Sequence, residues 1–215
     1  MDLLSLPMPG LLSGVAVTLL LGVVSFVFGL VLGGLVMLAR LSRRRPLRVA
    51  AIVYVSVFRG TPPLVQLMLV YFGLPRLDVR LPPVPSAILT FSLYAGAHLS
   101  ENLRGGVLAV DGGQWDAAGS MGMSHGLALR RVVLPQALRV AAPAIGGRFI
   151  SLMKDTSLAS VITVVELTRV AETAGSSSFR YVEAFTVAGA VYWLINTVLF
   201  AGQGALERRL GRAYA

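Results

Sequence analysis

The 215-residue chain contains no cysteine, which rules out a disulfide framework, a thiol nucleophile and a cysteine zinc site. It has two histidines, His98 and His125, too far apart in the chain to suggest paired ligands, so no metal site is expected. Neither G-x-S-x-G nor H-E-x-x-H occurs, and a membrane-embedded enzyme would need such a cluster. The single lysine, Lys154, lies in an apolar setting, and no G-x-x-x-x-G-K-[ST] motif is present. The usual phosphate cradle is therefore missing, and any ATP must be bound by another chain. Charge is scarce as well: 13% of residues are charged, about half the share usual in soluble domains. The start, Met1-Asp2-Leu3-Leu4, lacks the basic region of a signal peptide, so the first apolar segment is expected to be retained.

What remains is apolar. Hydrophobic residues make up 55% of the chain, and mean hydropathy is +0.75. Apolar segments fall near 11–39, 49–73, 84–104, 139–161 and 181–203. Each approaches or exceeds the roughly 20 residues needed to cross a hydrocarbon core as a helix. They lack the alternation of barrel strands, and backbone groups in lipid must be satisfied within the segment, so helices are expected. Gly60-Thr61-Pro62-Pro63 breaks the second segment, and Lys154-Asp155-Thr156-Ser157 follows the fourth run closely. The expected fold is thus an all-α polytopic membrane protein, a single domain over 1–215 with about five transmembrane helices.

The net charge of +9 would suggest nucleic acid in a soluble protein. Here the arginines sit between apolar runs, not on one amphipathic face, so lipid is the expected partner and nucleic acid is not. Their placement instead sets orientation. Arg40, Arg43, Arg44, Arg45 and Arg48 cluster in the first linker, Arg104, Arg130, Arg131 and Arg139 in and around the third connection, and Arg208, Arg209 and Arg212 in the tail. Only Arg76, Arg80, Arg169 and Arg180 occupy the opposite segments. This bias puts those three regions in the cytoplasm and, with five spans, the N-terminus outside. Within the first span, Gly14, Thr18, Gly22, Ser25, Gly29 and Gly33 form one small-residue stripe, suited to close approach by another helix of the same subunit or of a second one.

The third connection is the only long cytoplasmic segment. Residues 115–121 suit one or two helical turns, Gly122 suits the positive φ of a helix C-terminus, Ser124 can cap a second short helix, and Pro135 fits the first turn of the next element. This predicts a compact helix–turn–helix knob, able to transmit force to two spans; an inert amphipathic loop lying on the bilayer is the alternative.

The same segment resembles the signature of ABC-importer permeases, Glu-Ala-Ala, three residues, Gly, nine residues, Ile, one residue, Leu-Pro. Here it reads Asp116-Ala117-Ala118, Gly122, Val132, Leu134-Pro135, with Asp116 for Glu and Val132 for Ile. Three further motifs resemble the polar amino acid uptake family of the histidine, glutamine and arginine type. They are Phe58-Arg59-Gly60-Thr61-Pro62-Pro63-Leu64-Val65-Gln66-Leu67, Leu99-Ser100-Glu101-Asn102-Leu103-Arg104-Gly105-Gly106 (with His98 where Tyr is usual), and Leu152-Met153-Lys154-Asp155-Thr156-Ser157-Leu158. The resemblance implies a type I ABC importer permease fold in a bacterial inner membrane, with residues 112–138 as a cytoplasmic coupling loop. Asp116, Ala117, Ala118, Gly122, Leu134 and Pro135 would then engage an ATPase subunit that binds the ATP and Mg, leaving this chain without a cofactor. It also implies a second permease subunit, identical or a paralogue, and an extracytoplasmic solute-binding protein. The chain would be a transport subunit and not an enzyme, carrying a polar amino acid or another small polar solute. A secondary transporter would instead show internal repeats and need no knob.

Ionisable groups at bilayer depth need a partner or a wet cavity. His98, Glu101 and Asn102 are spaced to share a helix face. One reading has Glu101 and Asp155 holding the cationic amine of an amino acid, with His98 and Thr156 adding hydrogen bonds. The other is a structural network pairing Glu101 with Arg104 and Asp155 with Lys154. Glu166, Asn196 and Gln203 are read as packing or interfacial residues, His125 as solvated, and Trp115 and Trp193 as interfacial.

Overall fold

A computed structural model describes residues 10–211, and these are helical nearly throughout, with no strand among the described residues. The first apolar segment is α1, Leu11–Leu41. The second is broken into α2, Arg45–Gly60, and α3, Pro63–Met68, bent by 107° at the expected Gly-Thr-Pro-Pro interruption. A π turn, Leu69–Gly73, and a 3-10 turn, Leu74–Leu77, continue α3. Next come α4, Pro83–Leu108; α5, Gly112–Ser120; and α6, His125–Ala128. A second π turn, Leu129–Val133, leads into α7, Leu134–Asp155. After a 3-10 stretch, Thr156–Ile162, the chain closes with α8, Leu167–Ser178, and α9, Tyr181–Gly211.

Length and apolarity alone mark α1 and α9 as membrane spans, with the bent α2–α3 pair as a third. The central helix α4 is less apolar because its neighbours shield it. Thirteen residues of α4 are buried, among them Thr90, Ser92 and Ser100, whose hydroxyls donate to carbonyls of their own helix.

The small-residue stripe of α1 packs within the subunit. Gly14, Thr18, Gly22, Ser25, Gly29 and Gly33 are all buried. Gly29 and Gly33 lie against Ala95 and Leu99 of α4, Gly22 against Met153 of α7, and Gly14 against α8. Lipid tails are as apolar as leucine, so this association depends on close van der Waals fit and not on exclusion of water. A Cβ on Gly106 would stand 2.4 Å from the carbonyl oxygen of Ala137, a backbone atom that cannot step aside. On Gly22 it would meet only the flexible end of Met153 at the same distance. Gly106→Ala should therefore destabilise by roughly 2–3 kcal/mol and Gly22→Ala by roughly 1 kcal/mol or less. Thermal unfolding of the two variants in detergent checks this, and equal shifts would refute the packing account.

Apolar clusters fix both ends. Met37, Leu103, Val107, Val133 and Ala137 join the ends of α1 and α4 to the start of α7. Leu167, Ala171, Ala174, Ala184 and Ala188 seat α8 on the start of α9. Glu166 is fully buried at the N-terminus of α8, where its carboxylate accepts from the amides of Thr168 and Arg169 and from the Tyr192 hydroxyl. Asn196 donates to the Tyr192 carbonyl, and Gln203 to the Pro143 carbonyl. Each of the three is thus tied to backbone, while Asn196 Oδ1 and Gln203 Oε1 stay buried without a hydrogen-bond partner among the described residues.

Candidate functional site

The knob is α5, its turn and α6. Helix α5 starts at Gly112, three residues earlier than the sequence indicates, because Asp111 caps it by accepting from the Gly113 amide at 2.7 Å. The Asp before Gly-Gly was the available signal. The helix ends as expected: Gly122 takes φ +76°, its amide reaches the Gly119 carbonyl, and the Met123 amide reaches the Ala118 carbonyl. That pair of bonds is a Schellman closure, and the positive φ explains the glycine.

Two details differ from expectation. Ser124 occupies the N-cap position of α6, but its side chain makes no capping bond there. Pro135 is the second residue of α7, yet α7 is not a separate element, because residues 125–155 run as one continuous helical rod through the π turn. A proline clashes with the carbonyl four residues back, and a widened turn immediately before it relieves that clash. The same device recurs where the π turn Leu69–Gly73 precedes Pro75.

Of the six residues assigned to coupling, Asp116, Ala117, Gly122 and Pro135 are exposed. Ala118 is buried, and Leu134 packs into the cluster joining α1, α4 and α7. The motif therefore has an outer and an inner face. Trp115 packs against that same cluster and stacks on His125 at 4.5 Å, while His125 stays exposed as expected. Gln136 also donates to Gln114, which ties α7 to α5.

The membrane-level polar residues separate into two groups. Glu101 faces α1 and α2, where it meets Arg40 at 2.7 Å, Arg104 at 2.9 Å and Arg59 at 3.8 Å. Asn102 faces α7 instead, donating to the Ala144 carbonyl, and His98 meets the ring of Tyr94 on its own helix. The shared face predicted from spacing is therefore divided between two neighbours. Asp155 pairs with Arg148 at 2.8 Å and not with Lys154, because Arg148 lies two turns back on the same side of α7 while the adjacent Lys154 points outward. Thr156 is fully buried and donates to the Met153 carbonyl, so it offers no hydroxyl to a ligand.

Tyr94 and Arg148 were not singled out from sequence, yet they organise the second group. The Arg148 guanidinium sits 4.5 Å above the Tyr94 ring, and His98 meets the same ring edge-on at 4.8 Å. The i, i+4 spacing of Tyr94 and His98 was the only sequence signal for this arrangement. Between α4 and α7 the contacts thus run from His98 through the Tyr94 ring to Arg148 and on to Asp155.

Comparison with known proteins adds to this geometry. The family model described as "Binding-protein-dependent transport system inner membrane component" matches residues 25–212. The L-cystine transport system permease protein TcyB of Bacillus subtilis is 45% identical over 208 residues, covering 96% of this chain and 89% of that protein. The arginine transport system permease protein ArtQ of the same organism is 39% identical, covering 94% of this chain and 93% of that protein. The glutamine transport system permease protein GlnP of Escherichia coli is 37% identical with the same coverage. Among solved structures, an amino acid ABC transporter crystallised with histidines superposes with a TM-score of 0.92 at 34% identity, over 97% of this chain and 99% of that one.

Proposed function

Since the chain belongs to the binding-protein-dependent transport inner membrane component family, we propose that it forms half of a translocation pathway for a polar amino acid and is driven from its knob. The protein is an integral-membrane permease subunit of an ABC importer, a transport component whose ATPase resides on separate subunits. ATP-binding subunits and a binding protein are its partners. A second permease subunit, a copy or a paralogue, completes the pathway, and ATP with Mg is held by the ATPase partner.

The observation that carries this reading is the continuity of α6, the π turn and α7. The exposed face of α5, with Asp116 and Ala117, is the surface an ATPase subunit would grip. Force applied there passes through the Trp115–His125 stack and the Gln114–Gln136 bond into α7, which also carries Arg148 and Asp155. When ATP draws two such knobs together, the attached helices rock and open the pathway outward; hydrolysis resets it. A bound ligand biases this equilibrium only by binding one state more strongly than the other. The arginine bias supports a cytoplasmic knob and C-terminus.

The test is reconstitution of the permease with its ATPase and binding protein. Uptake into proteoliposomes should stop when ATP is withheld, and impermeant reagents should fail to label a cysteine introduced at Ser124 in intact cells. Uptake sustained by an ion gradient alone would overturn the reading.

A further inference from the structure

We propose that the arginine-rich turn between α1 and α2, with Arg43, Arg44, Arg45 and Arg48, is a seat for the headgroup of an anionic phospholipid. The inference goes beyond transport. It needs only that α1 spans the membrane, and it gives a ligand to side chains that the pathway reading leaves unused. The first observation is charge without a counter-charge. All four arginines are exposed, and none makes an ion pair among the described residues. Arg40 differs, because Glu101 neutralises it at 2.7 Å. Three of the four are consecutive, and the first turn of α2 has neither an acidic residue nor a side-chain cap, so the positive end of the helix adds to their field. The turn is ordered: the Ser42 hydroxyl accepts from the Arg44 amide at 3.1 Å, and the Arg48 amide donates to the Arg44 carbonyl. Like charges held this close repel, and an anion bound among them relieves the repulsion.

The second observation is where this charge lies. Helix α1 has 31 residues and so measures about 46 Å at 1.5 Å per residue. That exceeds the ~30 Å hydrocarbon core, and its last turn reaches the headgroup layer. Among and just beyond the arginines, Leu47, Val49, Ile52 and Val53 are also exposed, while Ala51 and Val55 of the same helix are buried. A phospholipid offers such a surface both an anion and an acyl chain. An acidic protein face or a free phosphate offers the anion alone. The basic turn joined to exposed apolar side chains therefore favours lipid, and each arginine near the membrane surface adds about fivefold in affinity for an anionic headgroup.

The experiment titrates the permease–ATPase complex in detergent with phosphatidylglycerol or phosphatidylcholine of identical acyl chains, and native mass spectrometry counts the bound lipid. Phosphatidylglycerol should bind at least ~30-fold more tightly, and Arg44→Gln/Arg45→Gln should cut that preference by roughly 30-fold, about fivefold for each charge removed. Arg44→Lys/Arg45→Lys should retain most of it. Arg208→Gln/Arg209→Gln removes the same charge from the end of α9 and should leave it unchanged. Inorganic phosphate should not displace the lipid. Equal binding of the two lipids by the wild type would overturn the inference. So would a preference that survives in the Arg44→Gln/Arg45→Gln complex or falls equally in the Arg208→Gln/Arg209→Gln complex, and so would displacement by phosphate. Loss of the ATPase from the Arg44→Gln/Arg45→Gln complex would also overturn it, since the arginines would then hold protein and not lipid. ATP-driven uptake by the wild type is measured in parallel, so a failure of the pathway reading registers separately.

Discussion

Replacing Ala117 by tryptophan is expected to reduce ATP-driven uptake at least ~100-fold while the subunit accumulates in the membrane at wild-type levels. Ala117 lies exposed on α5, so a large side chain there has solvent to extend into. It would instead stand between the knob and the ATPase surface that receives it, and losing one well-packed contact of that kind removes several kcal/mol of association. The adjacent alanine behaves differently. Ala118 is 2% exposed and turned inward, so Ala118→Trp should prevent the knob from folding. Co-purification of the ATPase with each variant, alongside membrane levels, separates the two effects. Normal ATPase recovery with Ala117→Trp would refute the assignment of the outer face.

The second large effect is expected at Glu101. Its carboxylate is the common partner of three guanidiniums from α1, α2 and α4, so Glu101→Gln leaves three like charges converging on a neutral amide. Removing one member of a largely buried ion pair costs about 3–5 kcal/mol. Arg59 is 45% exposed, and its share is reduced by solvent screening, so about 3 kcal/mol is expected. For a chain of this length that is a fall in melting temperature of roughly 10 °C. Calorimetry or a fluorescence melt in detergent measures it. A variant that melts like the wild type but no longer transports would mean that Glu101 contacts the solute instead of tying the helices together.

The sequence was most informative where chemistry is local. Gly122 had to be the αL residue after a short helix, and Gly60-Thr61-Pro62-Pro63 had to break the second segment. The knob could be placed from such residues before any tertiary contact was known. Partner choice was less legible. Helical spacing put His98, Glu101 and Asn102 on one face, but a face of roughly 100° is wide enough to touch two neighbouring helices. The fold directs Glu101 to Arg40 and Arg59, Asn102 to the Ala144 carbonyl and His98 to the Tyr94 ring. Asp155 went to Arg148 for a related reason, since consecutive residues on a helix diverge by about 100° and Lys154 could not turn back to it. Tyr94 and Arg148 escaped notice because an isolated tyrosine and an isolated arginine carry no motif. Their importance lies in a contact between helices that only folding creates.

The unbroken helix from His125 to Asp155 also has a mechanical meaning. Helical bonding runs on through its π turn and past the internal Pro143, so a push at one end reaches the other. Between residues 125 and 148 it measures roughly 35 Å at 1.5 Å per residue, so a tilt of only about 5° about its lower end would displace the Arg148 guanidinium by about 3 Å. That is the full length of a hydrogen bond. A modest swing at the membrane surface is enough to shift the contacts that Arg148 makes with Tyr94 and Asp155.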